Sequence, residues 1–125
     1  MIRRVAVAGA GAVGASIVSM IRDAGMEVTL LTDGERAARL RGEGLSVNGR
    51  RYEVPVESDG ESTFDLVLVA TKWMHLQEVL PLVVRVAGSG GYALSLLNGI
   101  RSEAAIARAG LDGRVIPAMI LGIDA

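Results

Sequence analysis

The chain contains no cysteine and a single histidine, His75. Without cysteine it cannot form a disulfide scaffold, a thiolate zinc site or a cysteine nucleophile, and one histidine cannot build a metal site by itself. Charge of one sign is also missing, because 13 lysines and arginines face 14 aspartates and glutamates. A near-neutral chain without a basic run gives no indication that it binds nucleic acid or an anionic membrane.

Long hydrophobic runs are missing as well. No apolar stretch approaches the roughly 20 residues that cross a bilayer. Met1 to Arg4 leads directly into a short apolar run and not into the long apolar region of a signal peptide. A chain of 125 residues has room for one domain and little more. These absences predict one reduced, cytoplasmic domain.

Apolar runs and helically spaced segments alternate along the chain. We predict strands over 2–8, 28–31, 64–70, 92–97 and 115–121, and helices over 12–24, 35–41, 76–87 and 102–109. Asn48-Gly49 between two apolar segments predicts a β-hairpin within residues 42–55, and residues 57–62 are polar and typical of a turn. This pattern predicts an α/β fold with a doubly wound, mostly parallel sheet and a β-hairpin inserted at its edge.

Three residues mark predicted helix boundaries. Gly25 follows the first helix, where glycine tolerates the left-handed backbone that ends many helices. Pro81 lies inside the third predicted helix and predicts a kink or a restart there. Ser102 is a candidate N-cap of the fourth helix.

The segment from Gly9 to Gly14 matches the pattern G-x-G-x-x-G between a predicted strand and a predicted helix. In a dinucleotide-binding turn the first glycine permits the bend, the second lets a pyrophosphate approach the backbone, and the third lets the helix pack closely. The amides and the positive end of the helix then face the phosphates. A glycine-rich turn without a ligand is the competing interpretation. The residues predicted to bind the pyrophosphate are Gly9, Ala10, Gly11, Ala12, Val13 and Gly14.

Residues at the end of the second predicted strand are expected to determine whether NAD or NADP is preferred. Asp33 follows the third glycine at close to the spacing of about 20 residues at which a carboxylate binds the adenosine ribose, which favours NAD. Arg36 and Arg39 lie just downstream and could reach a 2′-phosphate. Asp33 could equally cap the next helix. We assign Thr32, Asp33 and Arg36 to the predicted cofactor site and leave NADP or NAD open.

Three segments carry a resemblance to a known family: the glycine turn, Thr71-Lys72 after one strand, and Leu97-Asn98-Gly99-Ile100 after the next. Through them the chain resembles the ketopantoate reductase family. The resemblance covers essentially the whole chain. It implies reduction of 2-dehydropantoate to pantoate with NADPH, a step of pantothenate and coenzyme A biosynthesis. It also implies a Rossmann domain followed by a helical domain, with the active site between them.

The resemblance assigns Thr71, Lys72 and Asn98 to the cofactor, and Lys72 and Asn98 to the substrate as well. Lys72 and Asn98 follow strand carboxyl ends, where open α/β sheets bind ligands. Lys72 is the only lysine of the chain, and its amine could hold a carboxylate or a phosphate. An ordinary exposed lysine and an Asn-Gly turn are the competing interpretations.

The chain departs from the family pattern at three points. Members that use NADPH usually carry arginine where this chain has Asp33. The family often has glutamine at the position of His75. His75 is a candidate proton donor, but a histidine at a helix start is more often exposed or capping. The chain ends at Ala125, and the family's catalytic lysine and substrate-binding carboxylate lie in its C-terminal helical domain. We therefore expect residues 1–125 to be a dinucleotide-binding domain without a catalytic residue of its own.

The sequence thus predicts the NAD(P)-binding domain of an oxidoreductase that passes hydride to a 2-keto acid, with little turnover by itself. A nucleotide-sensing regulatory module and a dehydrogenase of another 2-hydroxy acid are the alternatives. A domain without its helical partner would expose an apolar face near Ile116 to Ile123, so a homodimer is a further expectation.

Overall fold

The computed structural model describes residues 2–9, 11–97 and 100–116. The described helices are α1 (Ala12–Asp23), α2 (Gly34–Glu43), α3 (Leu76–Ala87) and α4 (Ile100–Ile106), with a 3₁₀ turn at Trp73–His75 and an irregular helical turn at Ala107–Leu111. The described strands are β1 (Val5–Ala8), β2 (Thr29–Leu31), β3 (Leu45–Val47), β4 (Arg50–Tyr52), β5 (Val56–Glu57), β6 (Leu66–Val69), β7 (Tyr92–Ser95) and β8 (Val115–Ile116). None of these helices is long and apolar enough to cross a membrane.

Six strands form one parallel sheet in the order β5-β2-β1-β6-β7-β8. The chain builds the sheet outward from β1 in one direction as far as β5, and then returns to the other side of β1 to place β6. The strand order therefore reverses between β1 and β6. This confirms the predicted doubly wound α/β fold.

The two faces of the sheet carry separate apolar cores. Val5 and Val7 of β1 pack on the α1 side, whereas Ala6 and Ala8 of the same strand pack on the side of α3 and α4. Because both faces are covered, the strands read as continuous apolar runs. Each fully buried valine or leucine contributes roughly 1.5–3 kcal/mol.

The predicted hairpin is present, with Asn48 (φ +50) and Gly49 (φ +80) in its turn. Positive φ at both positions is the geometry of the two-residue turn that Asn-Gly favours. The hairpin strands form a small sheet of their own, and the hairpin packs on α1. The Tyr52 hydroxyl there donates a hydrogen bond to the Asp23 carboxylate at 2.9 Å.

Strand β5 was not expected from the polar character of residues 57–62. It pairs with β2 at the edge of the main sheet. The amide of Leu30 donates to the carbonyl of Pro55 at 2.9 Å, and the amide of Thr32 donates to that of Glu57 at 3.2 Å. A strand of two residues is too short to produce a periodic signal.

The three residues marked as helix boundaries have different outcomes in the structure. Gly25 (φ +83) ends α1 as predicted, and its amide donates to the carbonyl of Arg22 at 2.9 Å. α3 runs through Pro81 without restarting. Pro81 is exposed, so water can bind the helix carbonyl that a proline leaves without a donor. The predicted cap at Ser102 is wrong, because α4 begins at Ile100 and Ser102 is buried inside it.

Two predicted strands have different bounds in the structure. The first strand begins at Val5 and not at residue 2, because the amides of Arg3 and Arg4 each donate to the Asp65 carboxylate at 2.9 Å. The last predicted strand, 115–121, is described only at Val115–Ile116. Its remainder and most of the predicted self-association face lie outside the described residues.

Candidate functional site

The candidate site lies where the strand order reverses, at the carboxyl ends of β1 and β6. These strands are neighbours, and the amide of Ala70 extends their pairing by donating to the carbonyl of Ala8 at 2.8 Å. After β1 the chain enters α1 on one face of the sheet, and after β6 it enters α3 on the other face. In open α/β sheets, a divergence of this kind leaves a crevice that is the usual ligand position.

Two glycines of the turn are required by close packing. Gly9 has φ +107, and a Cβ placed on it would lie 3.0 Å from the backbone of Ala70 and Thr71. A Cβ on Gly14 would collide with the carbonyl oxygen of Gly9. These contacts match the bending and packing roles expected of the first and third glycines.

No contact among the described residues requires a glycine at position 11. A Cβ on Gly11 would meet nothing within 4 Å. Gly11 is also the N-cap of α1, where it offers no side chain to the helix amides, and the first turn carries no acidic residue. The first helical hydrogen bond runs from the amide of Ala15 to the carbonyl of Gly11 at 2.8 Å. Open space therefore lies beside an uncapped helix N-terminus, which suits an anion. Ala10 lies outside the described residues, while Ala12 and Val13 form the first turn.

Thr71, two residues beyond the end of β6, carries an unsatisfied polar atom. Its Oγ1 is buried and has no hydrogen-bond partner among the described residues. Leaving such a group unpaired costs about 1–3 kcal/mol, so native proteins normally supply a partner. The first glycine of the turn lies against the Thr71 backbone.

Asp33 lies at the carboxyl end of β2, beside the same edge of the sheet. It occupies the N-cap position of α2, but its carboxylate makes no capping hydrogen bond and has no other partner in the described part of the chain. The side chain is exposed, as are those of Arg36 and Arg39. Asp33 therefore stands at the N-cap position of α2, as the capping interpretation expects, but its side chain does not cap the helix. Thr32 is partly buried, and its amide is used in pairing with β5.

Lys72 is exposed and begins the 3₁₀ turn that leads into α3. His75 is also exposed, and its Nδ1 lies 3.6 Å from the Glu78 carboxylate. This position at the start of α3 agrees with the exposed or capping interpretation of His75. Asn98 lies outside the described residues. The structure thus brings the glycine turn, Asp33, Thr71 and Lys72 to one edge of the sheet.

Two features of this edge were not predicted from the sequence. The Oγ atoms of Ser95 and Ser102 lie 2.8 Å apart in the core, and the Arg101 guanidinium lies 4.6 Å from the centre of the Trp73 ring. A serine at an inward-facing position of an apolar strand is a signal that could have indicated the first. The second had no signal, because the two residues are distant in sequence.

A protein family and several solved structures are similar to this chain. A family model described as "Ketopantoate reductase PanE/ApbA" matches residues 5–123. D-mandelate dehydrogenase, solved with NADH and anilino(oxo)acetate, is 27% identical over 93% of this chain and 40% of that chain, with a TM-score of 0.80. No curated protein matches the sequence.

Two ketopantoate reductase structures are similar in the same way. The enzyme from Ralstonia eutropha JMP134 is 28% identical over 93% of this chain and 40% of its own, with a TM-score of 0.73. The 2-dehydropantoate 2-reductase from Geobacter metallireducens GS-15 is 27% identical over 91% and 40%, with a TM-score of 0.75. The chain thus spans about two fifths of the length of the solved structures that it matches.

Proposed function

Because the chain belongs to the ketopantoate reductase family, we propose that it binds NAD(P)H for an oxidoreductase that reduces a 2-keto acid. The observation that supports this most directly is the open space at Gly11 beside the uncapped start of α1. The reduced nicotinamide, when bound, supplies the hydride. The contribution of this chain is to hold and orient the cofactor and one side of the substrate.

Each candidate residue has a task that its chemistry can perform. The first-turn amides of α1 bind the pyrophosphate, and the Thr71 hydroxyl gains the partner that it lacks among the described residues. The Asp33 carboxylate accepts hydrogen bonds from the adenosine ribose. The Lys72 ammonium lies beside Thr71 and can hold a substrate carboxylate or a phosphate. Asn98, by resemblance, contacts the nicotinamide and the keto acid.

The substrate is proposed to be 2-dehydropantoate, which would place the reaction in pantothenate biosynthesis in the cytoplasm. A dehydrogenase acting on another 2-hydroxy acid is the second candidate, favoured by the similarity to D-mandelate dehydrogenase. The family match favours either enzyme over a regulatory nucleotide sensor. The test uses a longer protein that contains this chain. Its rate of reduction of 2-dehydropantoate is compared with its rate for other 2-keto acids, and the faster substrate decides between the two candidates.

Binding of NADH and NADPH to wild type and to Gly11→Ala tests the proposed site. Gly11 has φ −75, which alanine adopts readily, and the new methyl group would meet only open space in the ligand-free protein. We expect the melting temperature of Gly11→Ala to stay within a degree or two of that of wild type. Its affinity for NADH and NADPH should fall by roughly tenfold or more, tenfold being about 1.4 kcal/mol. Isothermal titration calorimetry measures the affinity.

Gly90→Ala is the matched control. Gly90 also has open space at its Cβ position, but it precedes β7 at the amino edge of the sheet. We expect this variant to bind the cofactor like wild type. Equal binding by wild type and Gly11→Ala would refute the proposed pyrophosphate site, and failure of wild type to bind either dinucleotide would refute the proposed function.

A further inference from the structure

A groove lies between α3 and α4, on the face of the sheet opposite α1. Its volume is about 360 Å³, and its lining residues are Trp73, Gln77, Arg101, Ala104, Ala105 and Arg108. This volume falls within the range of roughly 300–1,000 Å³ that small-molecule sites occupy. None of the lining residues belongs to β1 or α1, so the groove is separate from the glycine turn.

One face of α4 and of the irregular turn that follows it forms a side of the groove. The residues on this face are Arg101, Ala104, Ala105 and Arg108. Their spacing of i, i+3, i+4 and i+7 places them on the same side of a helix. The small side chains of the two alanines leave room between the two long arginines, and this room is the groove.

The groove carries positive charge without negative charge in its lining. Both of its arginines are exposed, and neither guanidinium has a hydrogen bond or an ion pair with a described residue. The acidic residues nearest to the lining in sequence are Glu78 and Glu103, and neither lines the groove. The Glu78 carboxylate lies 3.6 Å from His75, and Glu103 is two positions from Arg101, a spacing at which helix side chains do not face each other. An anion is therefore the occupant that complements this groove.

Trp73 holds Arg101 in a geometry that suits a carboxylate. The Arg101 guanidinium lies 4.6 Å from the centre of the Trp73 ring, within the roughly 6 Å of a cation–π contact. A guanidinium stacked on a ring keeps the N–H groups at its edge available, and these can donate two parallel hydrogen bonds to a carboxylate. Trp73 is 45% exposed, so part of its indole remains open to the carbon atoms of a ligand.

The groove begins next to the residue assigned to the substrate. Trp73 directly follows Lys72, and consecutive Cα atoms are about 3.8 Å apart. We propose that the groove binds a small organic acid, with its carboxylate on Arg101 and its carbon chain on Trp73 and Ala104. This inference rests on the proposed function, because the 2-keto acids of that reaction are the ligand class. A keto acid bound in the groove would lie beside the Lys72 segment.

The fluorescence of Trp73 tests this site, because Trp73 is the only tryptophan of the chain. The purified chain, without cofactor, is titrated with 4-methyl-2-oxopentanoate and with the uncharged methyl ester of that acid. We expect a saturable change in fluorescence with the acid, and an affinity for the acid that exceeds that for the ester by roughly fivefold or more. Calorimetric titration of the same protein with NADH measures the proposed function independently.

Arg101→Gln removes the guanidinium and its charge from the groove. We expect it to weaken binding of the acid by roughly fivefold or more, to the level of the ester. The melting temperature should change little, because Arg101 is exposed. Arg50→Gln is the matched control, since it makes the same change at an exposed arginine of the hairpin, which packs on α1. It should bind the acid like wild type.

The outcomes separate this site from the proposed function. If wild type binds NADH but the acid produces no saturable change, or if the ester binds as tightly as the acid, the groove proposal is wrong while the proposed function stands. Equal binding of the acid by wild type and Arg101→Gln also overturns the groove proposal. So does an equal loss in Arg50→Gln, which would show a general attraction of the acid to positive charge. If wild type does not bind NADH, the proposed function is wrong, whatever the groove binds.

Discussion

The carboxylate of Asp33 is exposed at the start of α2, and no described residue hydrogen-bonds it. A free carboxylate at the end of the second strand can accept two ribose hydroxyls, and it repels a 2′-phosphate that would approach the same place. Arg36 and Arg39 are exposed on the following helix and act in the opposite direction. We therefore expect cofactor preference to depend on the balance between the negative charge of Asp33 and the positive charges of Arg36 and Arg39.

We predict that wild type binds NADH at least as tightly as NADPH, and that Asp33→Arg shifts the ratio toward NADPH by roughly tenfold or more, about 1.4 kcal/mol. The substitution removes a repulsion and adds a bidentate phosphate ligand. Fluorescence titration with both cofactors measures the ratio. Asp112→Arg makes the same charge change before β8, at the opposite edge, and should leave the ratio unchanged. A strong wild-type preference for NADPH would mean that Asp33 does not bind the ribose or that Arg36 outweighs it.

At the scale of single residues, the sequence predicted what backbone geometry requires and missed what side-chain pairing requires. Gly9 and Gly14 could be assigned because a tight bend and a close helix leave no room for a Cβ. The sequence predicts a cap at Ser102, because a serine near the start of a helix is often one. The Ser95 hydroxyl, 2.8 Å from that of Ser102, is brought there by the packing of α4 on β7.

The segments that join the strands are fixed to the sheet by side chains as well as by backbone pairing. Asp65, just before β6, accepts hydrogen bonds from the amides of Arg3 and Arg4 and so ties the start of the chain to the sheet. These two bonds hold the pKa of Asp65 below its usual value of 3.8. The charged carboxylate is thus better stabilised in the folded than in the unfolded protein.

A pH dependence follows from this lowered pKa. The stabilisation is fully present above pH 3.8, the usual value, and is lost as the pH falls through the folded-state pKa. We predict that Asp65→Ala melts at a lower temperature than wild type at neutral pH, and that the difference shrinks at strongly acidic pH. Thermal unfolding followed by circular dichroism across the acid range measures this. Asp112→Ala is the control, and a difference that stayed constant with pH would contradict the assignment.

At the scale of elements, the hairpin could be predicted from Asn48-Gly49, because both positions need a positive φ. Its place on α1 could not, since it depends on long-range partners such as the hydrogen bond from Tyr52 to Asp23. Strand β5 escaped prediction for a similar reason. Its two residues become a strand only because β2 offers free backbone groups beside them.

In the molecule as a whole, the parallel order of the sheet gathers the candidate side chains at one edge. That edge is open, because Asp33 and Lys72 are both exposed. Hydride transfer to a ketone needs a site that excludes water and a group that delivers a proton or stabilises the developing alkoxide. The alternation of strands and helices predicted this gathering, since the carboxyl ends of parallel strands lie on the same side.

We predict that the purified 125-residue chain binds NADH but oxidises it with 2-dehydropantoate far more slowly than the roughly 1–1,000 per second typical of enzymes. The decrease of NADH absorbance with time measures the rate. A longer protein containing this chain is the positive control. Turnover by the isolated chain at an ordinary enzymatic rate would show that the open edge is sufficient for catalysis.

The brevity of β5 has a consequence for how copies of this protein behave at high concentration. Fibril growth and intermolecular strand addition both need a long row of free amides and carbonyls along a sheet margin. On the β5 side, only Val56 and Glu57 continue the ladder. A strand from another molecule therefore finds too few free backbone groups along β5 to pair with. This disfavours aggregation at that edge of the sheet.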